Sequence, residues 1–294
     1  VFDMHPAPSI IIFTVLSGVG FGMFAYIGFD FKPIRGLEVL PYVLIAFSLS
    51  VVGLLSSLFH LGNPHRAWRA LSQWRTSWLS REGVLAIISL VLCFCLSLSL
   101  ALSVNHSQLL GYLAALFSIL TVFSTAMIYA QMKAVPRWNN FIVPSKFIIF
   151  SLTCGALLMS DYTLSVLGLV ASVFLQILFW LIGDQSLKKS PTNILTSTGN
   201  LNLGEVTLLE SPHTGNNYLM KEMFYVLARK HVQKLRFITI CFMCIFPFIS
   251  VCLTFFIDFI FVLATSSYII GIFLSRWLFF AEAEHVVSFY YGRT

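Results

Sequence analysis

Charge is what this sequence has least of. Asp, Glu, Lys and Arg make up 10% of its 294 residues, and the mean hydropathy is +0.87. A soluble domain carries about 25% charged residues, so a water-soluble globular chain is excluded and a polytopic membrane protein is expected. Catalytic signatures are missing too: there is no Walker phosphate loop, no HExxH zinc helix and no GxSxG nucleophile elbow. The six cysteines, Cys93, Cys95, Cys154, Cys241, Cys244 and Cys252, all lie within apolar runs, which rules out a disulfide framework. Cys241 and Cys244 have the spacing of a metal or redox pair, but small polarizable side chains inside a hydrophobic helix read better as helix packing. No iron–sulfur cluster is expected on this chain.

Histidine is scarce where a transmembrane haem would need it. His5, His60, His65, His106, His213, His231 and His285 fall at span ends or in loops, not in facing helix interiors. A dihaem cytochrome is therefore disfavoured, while a single haem near the membrane surface stays open. The spans carry almost no charge through their centres, which argues against an ion pathway across the whole bilayer. Gly18-x-Gly20-x-Gly22 lacks the strand–turn–helix setting of a dinucleotide site, so close helix packing is its better reading. The start of the chain, Val1-Phe-Asp-Met4, has no basic region before an apolar run of full membrane length, and no cleavable signal is expected.

What is present is a succession of apolar runs of about 20 residues, the length that crosses a hydrocarbon core about 30 Å thick. They place spans near 9–29, 39–59, 83–104, 109–131, 144–160, 162–183, 235–257 and 259–280. The expectation is an all-α bundle of eight transmembrane helices, a single integral membrane domain over 1–294. Its longest loop, 184–234, is polar and then turns basic.

The net charge of +6 need not imply nucleic acid, and none is expected as a partner. Its distribution carries the information. The even connections and the two termini hold Arg66, Arg69, Arg75, Arg81, Lys133, Arg137, Lys146, Lys188, Lys189, Lys221, Arg229, Lys230, Lys234, Arg236, Arg276 and Arg293, which is 16 of the 18 basic residues. The odd connections hold Lys32 and Arg35 against Asp30, Glu38, Asp161 and Asp258. The positive-inside rule then puts both termini in the cytoplasm. The basic part of the long loop reads equally as a patch for anionic lipid headgroups or as a docking surface for a partner.

One connection stands apart. Residues 60–82 read HLGNPHRAWRALSQWRTSWLSRE, with two histidines, four arginines, three tryptophans and one carboxylate between apolar runs. Ionisable groups at a membrane edge are costly unless they face protein, water or a ligand. A lipophilic quinone fits: its headgroup needs a few polar groups at the membrane edge and an apolar wall for ring and tail. His60 closes the second span and Glu82 opens the third, so a tight return brings two proton donors to one depth. Arg66 and Arg81 would balance negative charge on the reduced ring, and Trp68 would wall it. Each residue also has a plain reading. His60 can end a helix, Glu82 can answer a helix dipole, the tryptophans can form an interfacial belt and the arginines can set topology. The constellation favours a site.

These residues resemble a known family. His60-Leu-Gly-Asn-Pro64, Arg66-Ala and Leu79-Ser-Arg-Glu82 are similar to the HLG-x-P-x-RA … LS-x-E pattern of the dimethyl sulfoxide reductase membrane anchor subunits. The resemblance implies an anchor without haem, holding a molybdopterin catalytic subunit and an iron–sulfur subunit that carry those cofactors. It implies exchange of electrons with ubiquinone or menaquinone, with quinone-binding roles falling on His60 and Glu82. Met4-His-Pro-Ala-Pro-Ser9, Pro212-His-Thr-Gly and Arg276-Trp-Leu-Phe-Phe-Ala-Glu-Ala-Glu-His285 look like the sulfite dehydrogenase branch of that family. That branch implies sulfite oxidation on the cytoplasmic side of a bacterial inner membrane, in keeping with the charge tally. The alternatives are a quinol-oxidising anchor for reduction of dimethyl sulfoxide or polysulfide and, from a different class, a small-solute transporter.

Overall fold

A computed structural model describes residues 8–60, 63–103, 108–192, 194–197, 206, 231–253 and 260–291. The side chains of His60 and Pro64 lie outside the described residues. The membrane helices are α1 (Pro8–Gly28), α2 (Leu40–Ser56), α3 (Trp78–Ala101), α4 (Gln108–Ala130), α5 (Ile142–Leu158), α6 (Tyr162–Ser186), α7 (Val232–Leu253) and α8 (Ile260–Ala281). Seven are long and apolar enough to cross a membrane, α2 once its flanking 3-10 turns are included (Gly36–Phe59), and α5 is a shorter apolar helix. The described residues contain no strand. The all-helical bundle of about eight spans follows the apolar runs. Local signals set several ends. Pro41 opens α2, Asp161 accepts the Leu164 N–H at 2.9 Å to cap α6, and Asp30, Ser103 and Ser160 leave their helices through positive φ.

The first helix is the hub. It packs against α2, α4, α5 and α8, and most of it is buried. Small residues make this possible. A Cβ added at Gly22 would meet the Ser151 carbonyl carbon of α5 at 2.4 Å, and one at Gly155 would meet the Gly22 carbonyl oxygen at 2.5 Å. The two backbones therefore touch, as close helix pairs in lipid require. Gly20 lies equally close to Ser50 of α2, so the glycine triplet is a packing face for two neighbours. The short α5 has no exposed residue, since α1, α4, α6 and α8 wrap it. At 1.5 Å per residue it spans about 25 Å, somewhat short of a hydrocarbon core about 30 Å thick.

Two expectations need correction. Helix α3 begins at Trp78, five residues before the expected start, because Ser77 already has the extended backbone of an N-cap. Glu82 is therefore the fifth residue of α3 and sits one turn inside it. Lys146 and Arg276 belong to no connection: they lie within α5 and α8, 0% and 2% exposed. Their aliphatic stems and neighbouring phenylalanines let the helices run on through them. In α7 the stretch Cys241–Ile245 forms a π turn whose Met243 backbone lies against Gly271 of α8.

Hydrogen bonds tie each end of the bundle. At one end Tyr26 donates to Asp161 at 2.6 Å and Lys32 to the Met159 carbonyl at 3.0 Å. At the other, Ser56 donates to the Ser9 carbonyl at 3.2 Å and the Trp138 indole to the Phe279 carbonyl at 3.0 Å. The second end holds the described parts of the even connections, including residues 63–77.

Candidate quinone site at the membrane edge

The segment between α2 and α3 is built from two 3-10 helices, Ser57–His60 and Pro64–Gln73. Pro64 starts the second, where its missing N–H costs nothing. This helix folds back on α3, with Leu71 against Gly83, and the first contacts α1. The outer surface is aromatic and basic. Phe59, Trp68 and Trp74 are 85%, 68% and 54% exposed. Each tryptophan carries an arginine on its ring: Arg69 on Trp68 at 5.6 Å, Arg75 on Trp74 at 5.5 Å and Arg81 on Trp78 at 4.4 Å. Amphipathic rings paired with cations suit the headgroup layer.

The expected site residues separate into three groups. Arg66 and Trp68 stand exposed on the second 3-10 helix. Arg81 is half-buried and donates to the Trp74 and Arg75 carbonyls at 3.0 and 2.7 Å, tying down the approach to α3. Glu82 is buried, 4% exposed, and turns into the seam between α3 and α4, where the Thr125 hydroxyl donates to its Oε1. His60 ends the first 3-10 helix on the same end of the bundle. Arg81 and Glu82 are thus adjacent in sequence but opposite in environment. Among the described side chains of this segment, the carboxyl is the one ionisable group that the fold takes out of water.

The surroundings of Glu82 are apolar with a few hydroxyls. Trp78, one turn before Glu82 on α3, meets Phe123 edge-on at 5.8 Å, while on a different face of α3 the buried Ser80 hydroxyl has no hydrogen-bond partner among the described residues. Tyr129, one helical turn beyond Thr125, lies within electrostatic reach of both Glu82 and Arg276. Among the described residues no group of three or more His, Cys, Asp or Glu side chains converges as a metal site.

The sequence model of the DMSO reductase anchor subunit family (DmsC) matches residues 3–282. The chain belongs to this family. It is also similar to a sulfite dehydrogenase subunit of Allochromatium vinosum, at 28% identity over 322 aligned residues that cover 98% of this chain and 99% of that protein. No solved structure matches it significantly. The anchor is thus a multi-pass membrane subunit of a molybdoenzyme-type complex.

Sequence reasoning missed part of the anchor's polar interior. Arg137 joins Glu282 at 2.8 Å and Asp184 at 2.7 Å, and Arg236 bonds the same two acids at 2.6 to 2.9 Å. This network clamps the α4–α5 connection to the ends of α6, α7 and α8. Deeper in, Lys146 donates to Gln176 at 3.1 Å, and Ser275 donates to the same amide oxygen at 2.7 Å. A signal for Lys146 and Arg276 was available, since each is flanked on both sides by apolar residues, in FIVPSKFIIF and GIFLSRWLFF. Thr125 left none, because a single threonine in an apolar run gives no hint of its partner 43 residues earlier.

Proposed function

We propose that the anchor binds a quinone at the α3 end of the 60–82 segment and reduces it with electrons from partner iron–sulfur clusters, while a molybdopterin partner oxidises sulfite in the cytoplasm. The observation that carries this reading is Glu82, a carboxyl buried one turn inside α3 at the end of the bundle where the basic connections gather. A carboxyl taken out of water needs a purpose or a partner. The Thr125 hydroxyl on Glu82, beside an apolar seam, fits a small carbonyl headgroup. The similarity to a sulfite dehydrogenase subunit over nearly the whole of both chains supports the sulfite substrate.

The bound quinone would supply two-electron acceptor chemistry that also consumes two protons. Glu82 would hold a proton at its carboxyl and deliver it to one headgroup oxygen, with Thr125 Oγ1 orienting the carboxyl. His60 would serve the other oxygen, since both residues stand at the same end of the bundle. Arg81, fixed by the Trp74 and Arg75 carbonyls, would add a stationary positive charge near the entrance. Arg66 and Trp68 would contribute once a docked partner or lipid covers the exposed face they occupy. Both termini and the basic connections would lie in the cytoplasm of a bacterial inner membrane, beside the catalytic partners. Proton uptake on that same side would build no gradient. A quinol-oxidising complex for dimethyl sulfoxide or polysulfide would use the same groups in reverse.

The test is paired kinetics on the intact complex. His60→Ala and Glu82→Gln should each lower sulfite-dependent quinone reduction by about 100-fold or more, while activity with an artificial acceptor stays at the wild-type level. Unchanged quinone reduction in both variants overturns the site. A reporter fused to the C-terminus should report the cytoplasm, and a periplasmic signal would remove the cytoplasmic reading.

A further inference from the structure

We infer that α5, α6 and α8 enclose a buried site for a small inorganic anion, a halide or a small oxyanion, held by Lys146, Gln176 and Arg276. The inference does not depend on the quinone reading and concerns a different part of the bundle. Lys146 and Gln176 are both 0% exposed, and Arg276 is 2% exposed. The ring of Phe147 lies 3.2 Å from the guanidinium carbon of Arg276, and that of Phe179 lies 4.0 Å from Lys146 Nζ. The two cations lie within electrostatic reach of each other, so each makes the other's burial more costly.

Acids that would balance them are engaged elsewhere. Glu282 takes Arg236 Nε on Oε1 and both Arg137 and Arg236 on Oε2, at 2.8 to 2.9 Å. Asp184 takes Arg137 and Arg236 on its two oxygens at 2.6 to 2.7 Å. What Lys146 has instead is the Gln176 amide oxygen, already shared with Ser275. This leaves Arg276 Nε, Arg276 Nη1 and Gln176 Nε2 buried with no hydrogen-bond partner among the described residues. All three are donors. Buried polar groups in folded proteins are paired with few exceptions, and an acceptor-poor cluster of donors around two cations calls for an occupant that accepts hydrogen bonds and carries negative charge. A monatomic halide or a small oxyanion meets both demands. A neutral acceptor would satisfy the donors but add nothing to the one carboxylate among the described residues within electrostatic reach of Lys146, Glu282, which Arg137 and Arg236 already share.

The purified complex of anchor and partners, exchanged into gluconate, provides the test. Titration with chloride or with sulfate at constant ionic strength should raise its thermal unfolding temperature with saturation. Saturation with chloride identifies a halide site, and saturation with sulfate alone identifies an oxyanion site. Either behaviour should weaken by about tenfold or more in apparent affinity in Arg276→Gln and in Lys146→Met, as the loss of a charged hydrogen bond requires. No saturable response to either anion overturns the proposal, and so does an unchanged affinity in both variants. Should neither variant assemble, anomalous scattering from bromide in crystals of the wild-type complex decides. A peak between Lys146 and Arg276 supports the site, and its absence there, together with the absence of a selenate peak in a parallel soak, overturns it.

Discussion

Two basic regions of the anchor handle positive charge in opposite ways. In residues 60–82 Arg66, Arg69 and Arg75 stay exposed and Arg81 is half-buried, and the last three lie on tryptophan rings, so these cations keep water and gain a polarizable neighbour. Around α5 and α8 the cations are buried, and they are held by carboxylates in the Arg137 network or by an amide and phenylalanine rings at Lys146 and Arg276. The first region is conspicuous in sequence and inexpensive in structure. The second is inconspicuous and costly. Density of charge along the chain therefore points to the membrane edge, while the depth of single charges points to where removal does most damage.

That contrast can be broken by mutation. The largest effect is expected for Arg137→Ala, which leaves Glu282 and Asp184 to Arg236 alone. Unfolding of the purified complex should show a loss of about 3 kcal/mol or more, and a loss below about 1 kcal/mol would put this network in the same class as the exposed arginines. Next comes Gln176→Leu, which removes the acceptor shared by Lys146 and Ser275. It should cost about 1–3 kcal/mol in the same measurement, the penalty of stranding a buried donor. Arg81→Ala should lie lower, at about 1 kcal/mol, since its two carbonyl bonds sit near water. The double variant Trp68→Ala with Arg69→Ala should change stability by less than about 1 kcal/mol. A larger effect would mean that the exposed face is held by contacts within this chain.

The smallest effect concerns pH. Burial holds the His285 imidazole below its ordinary value, and its Nδ1 accepts the Val287 N–H at 3.0 Å. A neutral ring is needed for that bond. The unfolded state, with the ordinary value near 6.5, takes up the proton first as pH falls. Stability of the 3-10 segment Val286–Tyr291 is therefore greatest above about pH 6.5 and declines below it. Hydrogen exchange at the Val287 amide should quicken on acidification beyond the intrinsic trend, and His285→Gln should abolish the excess.

Span positions were legible because lipid solvation imposes one rule on every helix, and α1 to α8 obey it within a few residues. The glycine triplet was legible for a related reason: small residues in a long apolar run have little use except close approach. The start of α3 was misread because Arg81 and Glu82 look like loop residues, whereas the turn that contains them is buried on the Glu82 side and wet on the Arg81 side. The deeper polar contacts could not be read. Arg137 and Glu282 are 145 residues apart, and Glu82 and Thr125 are 43 apart. Pairing at such separations is decided by how helices pack, and no local period records it. For the candidate site, the segment was visible as an anomaly, but which of its ionisable groups turns inward depended on α4.

The contact between Gly22 and Gly155 also has a consequence for biosynthesis. The two residues are 133 positions apart, so at about 5–20 residues per second α1 waits roughly 7–27 s after its own synthesis before this part of α5 is made. During that interval the Gly22 side of α1 lacks its α5 partner, while α2, packed on Gly20, is already available to hold the helix in register. The last helix, α8, also packs on α1. Membrane insertion of this chain is therefore fast for single helices, but completion of the bundle is governed by how long the ribosome takes to deliver partners to a helix that entered early.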